Sequence, residues 1–77
     1  MRITETHGNG RPSIYETHGN SRNGIKGSRL SIYTESGQLV DRFTVPAWYG
    51  LAYCEKHPTG TYGQRLAAAV TAAEGAA

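Results

Sequence analysis

The sequence lacks most of the features by which a protein class is recognised. It contains a single cysteine, Cys54, so an intramolecular disulfide framework is excluded. No apolar run approaches the ~18 residues of a membrane span, and no charged segment followed by an apolar one stands at Met1, as a signal peptide requires. We therefore expect a cytoplasmic protein that does not enter a membrane.

The chain is also short and poor in large apolar side chains. Its 77 residues make one domain at most, since domains typically have about 100–150 residues. We assign residues 1–74 to that domain and expect residues 75–77 to fray. Only 38% of the residues are apolar, and so thin a core leaves little scaffold for an enclosed substrate pocket.

An internal echo indicates short strands separated by glycine-containing turns. Residues 3–9 (ITETHGN) return eleven residues later as residues 14–20 (IYETHGN), and a looser copy (IYTESGQ) occupies residues 32–38. Ile, Thr and Tyr favour strands, and turns spaced about 8–12 residues apart are typical of consecutive antiparallel strands. The echo therefore predicts a β-meander.

The clearest hairpin lies in residues 29–45. Two β-prone segments flank residues 35–37 (ESG), which suit a three-residue turn with Gly37 in the left-handed conformation. That turn sets Thr34 opposite Gln38, Tyr33 opposite Leu39 and Ile32 opposite Val40.

Helical patterns follow the strands. Pro46 ends the sheet and suits the first position of a helix over residues 46–56, although a strand is an open alternative there. Residues 64–74 are strongly helix-prone, and their apolar side chains share one stripe: Leu66, Ala69, Val70 and Ala73. The whole pattern predicts an α+β fold, a small antiparallel meander of three to four strands followed by one or two C-terminal helices.

A zinc site is one hypothesis that the residues allow. The available soft or imidazole ligands are His7, His18, Cys54 and His57. Cys54 and His57 are three positions apart, and the other two occupy matching positions of the echo. Zinc motifs usually bring ligands in close pairs, whereas eleven residues separate His7 from His18. A zinc-stabilised domain is therefore kept as an alternative, and no cofactor is assigned.

The sequence contains few candidate catalytic residues. Cys54, a histidine and a carboxylate are the minimum inventory of a thiol enzyme. However, Cys54 lies in an apolar stretch, where a buried and unreactive thiol is the usual state. The chain has neither a Gly-x-Ser-x-Gly motif nor a phosphate-binding loop. We therefore expect a protein that is not an enzyme.

Positive charge gathers around a Gly- and Asn-rich loop, residues 20–28. The net charge of +2 is too small to diagnose a nucleic-acid-binding protein. The loop should be exposed and has little tendency to order. Its cations could contact phosphates while Tyr15 and Tyr33 stack on bases, but no known nucleic-acid-binding motif accompanies them. A small nucleic-acid-binding or regulatory protein is thus a second alternative, with these cations as its contacts: Arg22, Lys26 and Arg29.

Aromatic residues favour protein binding. Trp48 and three tyrosines fall within fifteen residues, and Trp and Tyr are the side chains that most often anchor interfaces. Five tyrosines are too many to bury with satisfied hydroxyls in so small a domain. We predict a binding surface for a protein or nucleoprotein complex, with self-association also open, from these residues: Arg22, Lys26, Arg29, Tyr49, Tyr53 and Tyr62.

In character, though not by any motif, the chain resembles the short proteins of phages and mobile elements that bind and block a host machine. Anti-CRISPR inhibitors are one such group. The likeness rests on small size, a β-meander with a helix, the lack of a catalytic constellation and a surplus of tyrosine. It implies a non-enzymatic inhibitor of a host defence system.

Overall fold

The computed structural model describes residues 12–75, which form an antiparallel sheet followed by two helices. The strands are β1 (Ser13–His18), β2 (Ser28–Tyr33) and β3 (Leu39–Val45), and the helices are α1 (Gly50–Lys56) and α2 (Thr61–Gly75). The predicted α+β class, with a meander before C-terminal helices, is confirmed. The first copy of the echo, residues 3–9, lies outside the described residues.

The sheet has a core face and an outer face because side chains alternate along each strand. In the central strand, β2, Leu30 and Ile32 are fully buried beneath the helices. The cross-strand pairs of the core face are Ile14 with Ile32, Leu30 with Phe43, and Ser28 with Val45. The opposite, outer face carries the residues between them: Tyr15, Thr17, Arg29, Ser31, Tyr33, Arg42 and Thr44.

The turn between β2 and β3 has the predicted length and conformation. Gly37 has a φ of 96°, in the left-handed region that glycine adopts without steric cost. The backbone N–H of Thr34 donates to the carbonyl of Gln38 at 2.8 Å, and Tyr33 lies opposite Leu39. The predicted register is therefore right at the turn.

Beyond the turn, the predicted register is wrong. Ile32 lies opposite Asp41 and not opposite Val40, because a β-bulge interrupts the ladder next to Tyr33. The extra residue reverses the alternation of β3, which turns Phe43 onto the core face opposite Leu30. Burial of this phenylalanine, 6% exposed, is the physical reason for the shift.

Helix α1 begins later than predicted. Residues 46–49 form bends and a turn, and the helix begins at Gly50 and not at Pro46. Gly50 is packed so closely on the sheet that a Cβ there would lie 2.6 Å from Glu16 Oε2 and 2.6 Å from the Cβ of Ser28. Only glycine lets the start of α1 come this near. Residues 50–56 are helical, so the strand alternative is wrong for them.

Helix α2 is longer than the predicted 64–74. It begins at Thr61 and ends at Gly75, the first residue of the tail expected to fray; residues 76 and 77 lie outside the described residues. The predicted apolar stripe is confirmed, since it packs on the core with these residues: Leu66, Ala69, Val70 and Ala73. Within residues 12–75, no helix is long and apolar enough to cross a membrane.

Candidate binding surface

The largest apolar side chain of the protein lies on its surface. Trp48 is 60% exposed and its neighbour Tyr49 is 55% exposed. Both belong to the turn that leads from β3 into α1, and we call this pair the aromatic turn. A chain with so few large apolar residues would gain stability by burying its one tryptophan. Its exposure is therefore informative, because anchors of interfaces have this chemistry.

Buried polar side chains hold the backbone of the aromatic turn. The hydroxyl of Ser28 donates to the carbonyl of Trp48 at 2.9 Å. A carboxylate oxygen of Glu16 accepts a hydrogen bond from the backbone N–H of Leu51 at 2.5 Å. Ser28 is 0% exposed and Glu16 is 4% exposed, so both bonds lie where water does not compete.

A histidine joins these two side chains. The Nε2 of His18 lies 3.1 Å from Glu16 Oε1, and its Nδ1 lies 3.4 Å from Ser28 Oγ. We call Glu16, His18 and Ser28 the polar clamp. The residue before α1, Tyr49, offers no side-chain cap to the helix. The carboxylate of the clamp supplies one, in the place where negative charge favours a helix.

The polar clamp has the residue types of a hydrolytic triad but not its accessibility. Ser28 is fully buried, and its hydroxyl already donates to the carbonyl of Trp48. A nucleophile must reach a substrate carbonyl and pass its proton to the histidine. The geometry instead suits a structural role, which is to fix the aromatic turn.

The loop between β1 and β2, residues 19–27, which we call the basic loop, is closed by its own asparagine side chains. The side-chain oxygen of Asn20 accepts from the N–H groups of Arg22 and Asn23 at 2.8 and 3.0 Å. That of Asn23 accepts from the N–H groups of Asn20 and Ile25 at 2.9 and 3.0 Å. Asparagines commonly close turns in this way. These hydrogen bonds define a closed turn, and the predicted exposure of the loop is confirmed for residues 20–24 and for Lys26.

The basic loop packs beside the aromatic turn. A cleft of about 270 Å³ lies between them, lined by Asn20, Ser21, Gly24, Ile25, Lys26 and Trp48. The structure thus brings Lys26 together with Trp48, and the exposed Arg22 lies on the same loop. Arg29, predicted as part of this group, instead lies on the outer face of the sheet between Thr17 and Thr44.

The predicted tyrosines divide between two places. Tyr49 lies just before α1 and Tyr53 lies within it, with their ring centroids 5.7 Å apart. The ring centroids of Tyr53 and His57 are 4.6 Å apart. These rings extend the aromatic turn along the helix. Tyr62 is half-buried and stacks on Phe43 at 6.4 Å, so it belongs to the packing between α2 and β3.

The thiol considered for zinc binding and for catalysis lies in the interior. Cys54 is 2% exposed, and burial raises the pKa of its thiol, helped by the charges of Glu16 and Glu55. A raised pKa disfavours the reactive thiolate. Among residues 12–75, no three His, Cys, Asp or Glu side chains are grouped so as to hold a metal ion. His7 lies outside the described residues.

The outer face of the sheet is a second surface with aromatic and basic groups. The rings of Tyr15 and Tyr33 meet edge to face at 5.4 Å. Arg42 donates to the hydroxyl of Tyr33 at 3.1 Å and to that of Ser31 at 2.9 Å. Arg29 is exposed on the same face. Of the three cations that the sequence combined with these tyrosines, only Arg29 lies on this face, and Arg42 was not predicted.

Comparisons with known proteins give no information on function, so the proposal below is argued from the geometry of the site. The chain matches no protein-family model, no curated protein and no solved structure.

Sequence reasoning identified the basic loop but missed the polar clamp and the exposure of Trp48. One signal for the clamp was available. Ile14, Glu16 and His18 are spaced two residues apart, and residues two apart in a strand share a face. This places a carboxylate and an imidazole on the core face, where polar groups need partners.

Proposed function

We propose that the protein is a non-enzymatic binding module that docks on a protein or nucleoprotein surface through its aromatic turn. The observation that carries the proposal is the exposed Trp48 on a backbone held by the buried polar clamp. An anchor that is already fixed loses little conformational entropy on binding, which favours affinity. Trp and Tyr are also the residues most enriched among interface hot spots.

Charge next to the aromatic turn indicates what kind of surface the partner presents. Arg22 and Lys26 are exposed on the basic loop, and residues 19–28 contain no acidic side chain. Complementary charge steers encounter and orients partners. We therefore propose that the part of the partner that packs on Trp48 is apolar and is flanked by acidic residues.

We propose that the protein occupies a surface of its partner and catalyses no reaction there. The hydroxyl of Ser28 and the thiol of Cys54 are both buried, so neither group is presented to a substrate. A small binder of this kind acts by blocking what its partner would otherwise contact. Inhibition of a host defence machine in the cytoplasm, as the character of the chain implies, is the specific form of this proposal.

Affinity capture followed by measurement with the purified partner tests the proposal. The tagged protein is used to capture partners from extracts of its native host, and the affinity of the purified partner is then measured. The Trp48→Ala, Tyr49→Ala double variant should bind at least about tenfold more weakly. Truncating a buried aromatic anchor costs about 2 kcal/mol or more, and each 1.4 kcal/mol is about a factor of ten in affinity.

Leu39→Ala is the matched control, because Leu39 is also a large exposed apolar residue, at 49%. It is the first residue of β3, at the opposite end of that strand from the aromatic turn. Binding by this variant should be within about twofold of wild type. Wild-type affinity in the double variant would refute the proposal.

A second candidate function is binding of single-stranded nucleic acid by the outer sheet face. The observation that favours it is the contact between the rings of Tyr15 and Tyr33, with Arg42 donating to the hydroxyl of Tyr33. No acidic side chain lies at the outer-face positions of the described strands. Aromatic rings on a sheet with flanking cations are a common platform for single strands.

A salt titration with fluorescent oligothymidylate tests this second candidate. The logarithm of affinity should fall linearly with the logarithm of salt concentration, and Arg29→Ala should reduce the slope by about one unit. Lack of binding at about 50 mM salt would exclude it.

A further inference from the structure

The cleft between the basic loop and the aromatic turn has the size of one side chain. Its volume is about 270 Å³, whereas an apolar cavity of about 150 Å³ in another protein accommodates benzene. Its lining includes two apolar residues, Trp48 and Ile25, together with Gly24 of the loop. An open cleft of this size and lining fits a leucine or an aromatic ring of a partner.

The rim of the cleft is positively charged. Lys26 lines it and is exposed. Arg22 does not line the cleft but is exposed on the same loop, next to the lining residue Ser21. Neither cation forms an ion pair within residues 12–75. Carboxylates of a ligand could therefore approach both of them without displacing an acidic side chain of the protein itself.

The walls of the cleft are held in place before any ligand arrives. The side chains of Asn20 and Asn23 close the loop by hydrogen bonds to its backbone, and the N–H of Gly19 donates to the carbonyl of Gly27 at 2.6 Å. On the other wall, Ser28 holds the carbonyl of Trp48. A cleft with fixed walls does not have to be ordered by its ligand, which reduces the entropic cost of binding.

We infer that this cleft binds an apolar side chain presented by an acidic peptide segment, with carboxylates of that segment meeting Lys26 and Arg22. The inference rests on the proposed function, because it names the partner chemistry for the same surface. The apolar lining selects the inserted side chain, and the cationic rim selects the residues that flank it.

Trp48 makes the inference directly measurable, since it is the only tryptophan of the chain. The probe is a synthetic peptide in which one leucine is flanked on both sides by two glutamates. The control peptides carry alanine in place of the leucine, or lysines in place of the glutamates. Binding is followed by the NMR signal of the Trp48 indole N–H and by the backbone amides of residues 20–26.

The leucine–glutamate peptide should shift the Trp48 indole signal and bind about tenfold more tightly than the alanine control, since an inserted leucine adds 1.5 kcal/mol or more. It should also bind more tightly than the lysine control, whose charges repel Lys26 and Arg22. Lys26→Glu should remove the preference for glutamate over lysine. Lys56→Glu is the charge-matched control, because Lys56 is exposed at the end of α1 and does not line the cleft. It should leave the preference unchanged.

Three results would overturn the inference. They are a Trp48 signal unaffected by millimolar peptide, equal binding of all three peptides, or a stronger response of the same signal to oligothymidylate, which would assign the cleft to nucleic acid. Any of these results would refute binding of an acidic peptide in the cleft. If binding of the purified partner still depended on Trp48, the proposed function would remain supported. Partner binding that survives Trp48→Ala would refute the proposed function itself.

Discussion

The carboxylate of Glu16 in β1 accepts a hydrogen bond from the backbone N–H of Leu51 in α1, across 35 positions of the chain. The first strand of the described sheet thereby fixes the start of the helix that follows the last strand. The exposed Trp48 lies three residues before Leu51 and is held by the same polar clamp. The position of the proposed anchor is thus determined by buried side chains that do not themselves reach the partner.

Replacing Glu16 should therefore destabilise the fold. Glu16→Ala leaves the N–H of Leu51 without its acceptor in a buried place, which costs about 1–3 kcal/mol. Urea unfolding measures the free-energy difference. Glu16→Gln keeps a side-chain oxygen at the same length and is the matched variant. Equal stability of Glu16→Ala and wild type would show that the clamp does not hold the helix.

Gly50→Ala should also be destabilising, although alanine ordinarily favours a helix. The added Cβ would meet Glu16 Oε2 and the Cβ of Ser28 at 2.6 Å, and the φ of 22° is unfavourable for any other residue. Overpacking of this kind costs about 1–3 kcal/mol. Gly75→Ala, with nothing within 4 Å of the new Cβ, is the control and should be neutral or slightly stabilising. Thermal unfolding distinguishes the two variants.

The ion pair between Asp41 and Arg65 should make stability depend on pH in acid. Arg65 donates to both carboxylate oxygens of Asp41, at 2.8 and 2.9 Å, and this hydrogen bonding lowers the pKa of Asp41. A lowered folded-state pKa stabilises the fold above the unfolded value near 4, and the contribution is lost as pH falls through the folded value.

Asp41→Asn tests this pH dependence. The pair is partly exposed, so its removal should cost no more than about 1 kcal/mol at neutral pH. Urea unfolding at pH 7 and below about pH 3 should show the difference between wild type and Asp41→Asn shrinking in acid. A difference of the same size at both pH values would contradict the assigned role of the carboxylate.

The cations of the basic loop should act on the rate of association. Arg22→Ala with Lys26→Ala should slow binding of the purified partner several-fold at low salt, and the effect should vanish at high salt because exposed charges are screened. Arg29→Ala is the control, since this residue lies on the outer sheet face. Stopped-flow kinetics measure both. A slower rate for Arg29→Ala alone would move the docking surface to the sheet.

The meander could be predicted from the sequence because its signals are local. Strand-forming segments and the turn at Gly37 follow from propensities and backbone preferences of neighbouring residues. The bulge at Val40 could not be predicted, because it is decided by the burial of Phe43 opposite Leu30. That choice depends on helices that lie later in the chain.

The sequence predicted the charged and aromatic residues of the candidate site, but not the hydrogen bonds that hold them in place. Residue type alone indicated the cations Arg22 and Lys26 and the neighbouring tyrosines. The ordering of the loop by Asn20 and Asn23 depends on specific hydrogen bonds that composition does not reveal. The close approach of Gly50 to Glu16 and Ser28 likewise joins residues far apart in sequence, and no local pattern reveals it.

The most direct test of the account is the solvent exposure of Trp48 in the complex with the purified partner. Incorporating fluorotryptophan at this single position gives a ¹⁹F signal that is distinct from every tryptophan of the partner. On complex formation the signal should shift, and its broadening by a soluble paramagnetic agent should fall several-fold, as expected for an anchor buried at an interface centre. An unshifted signal that the agent broadens as strongly as in the free protein would contradict docking through the aromatic turn.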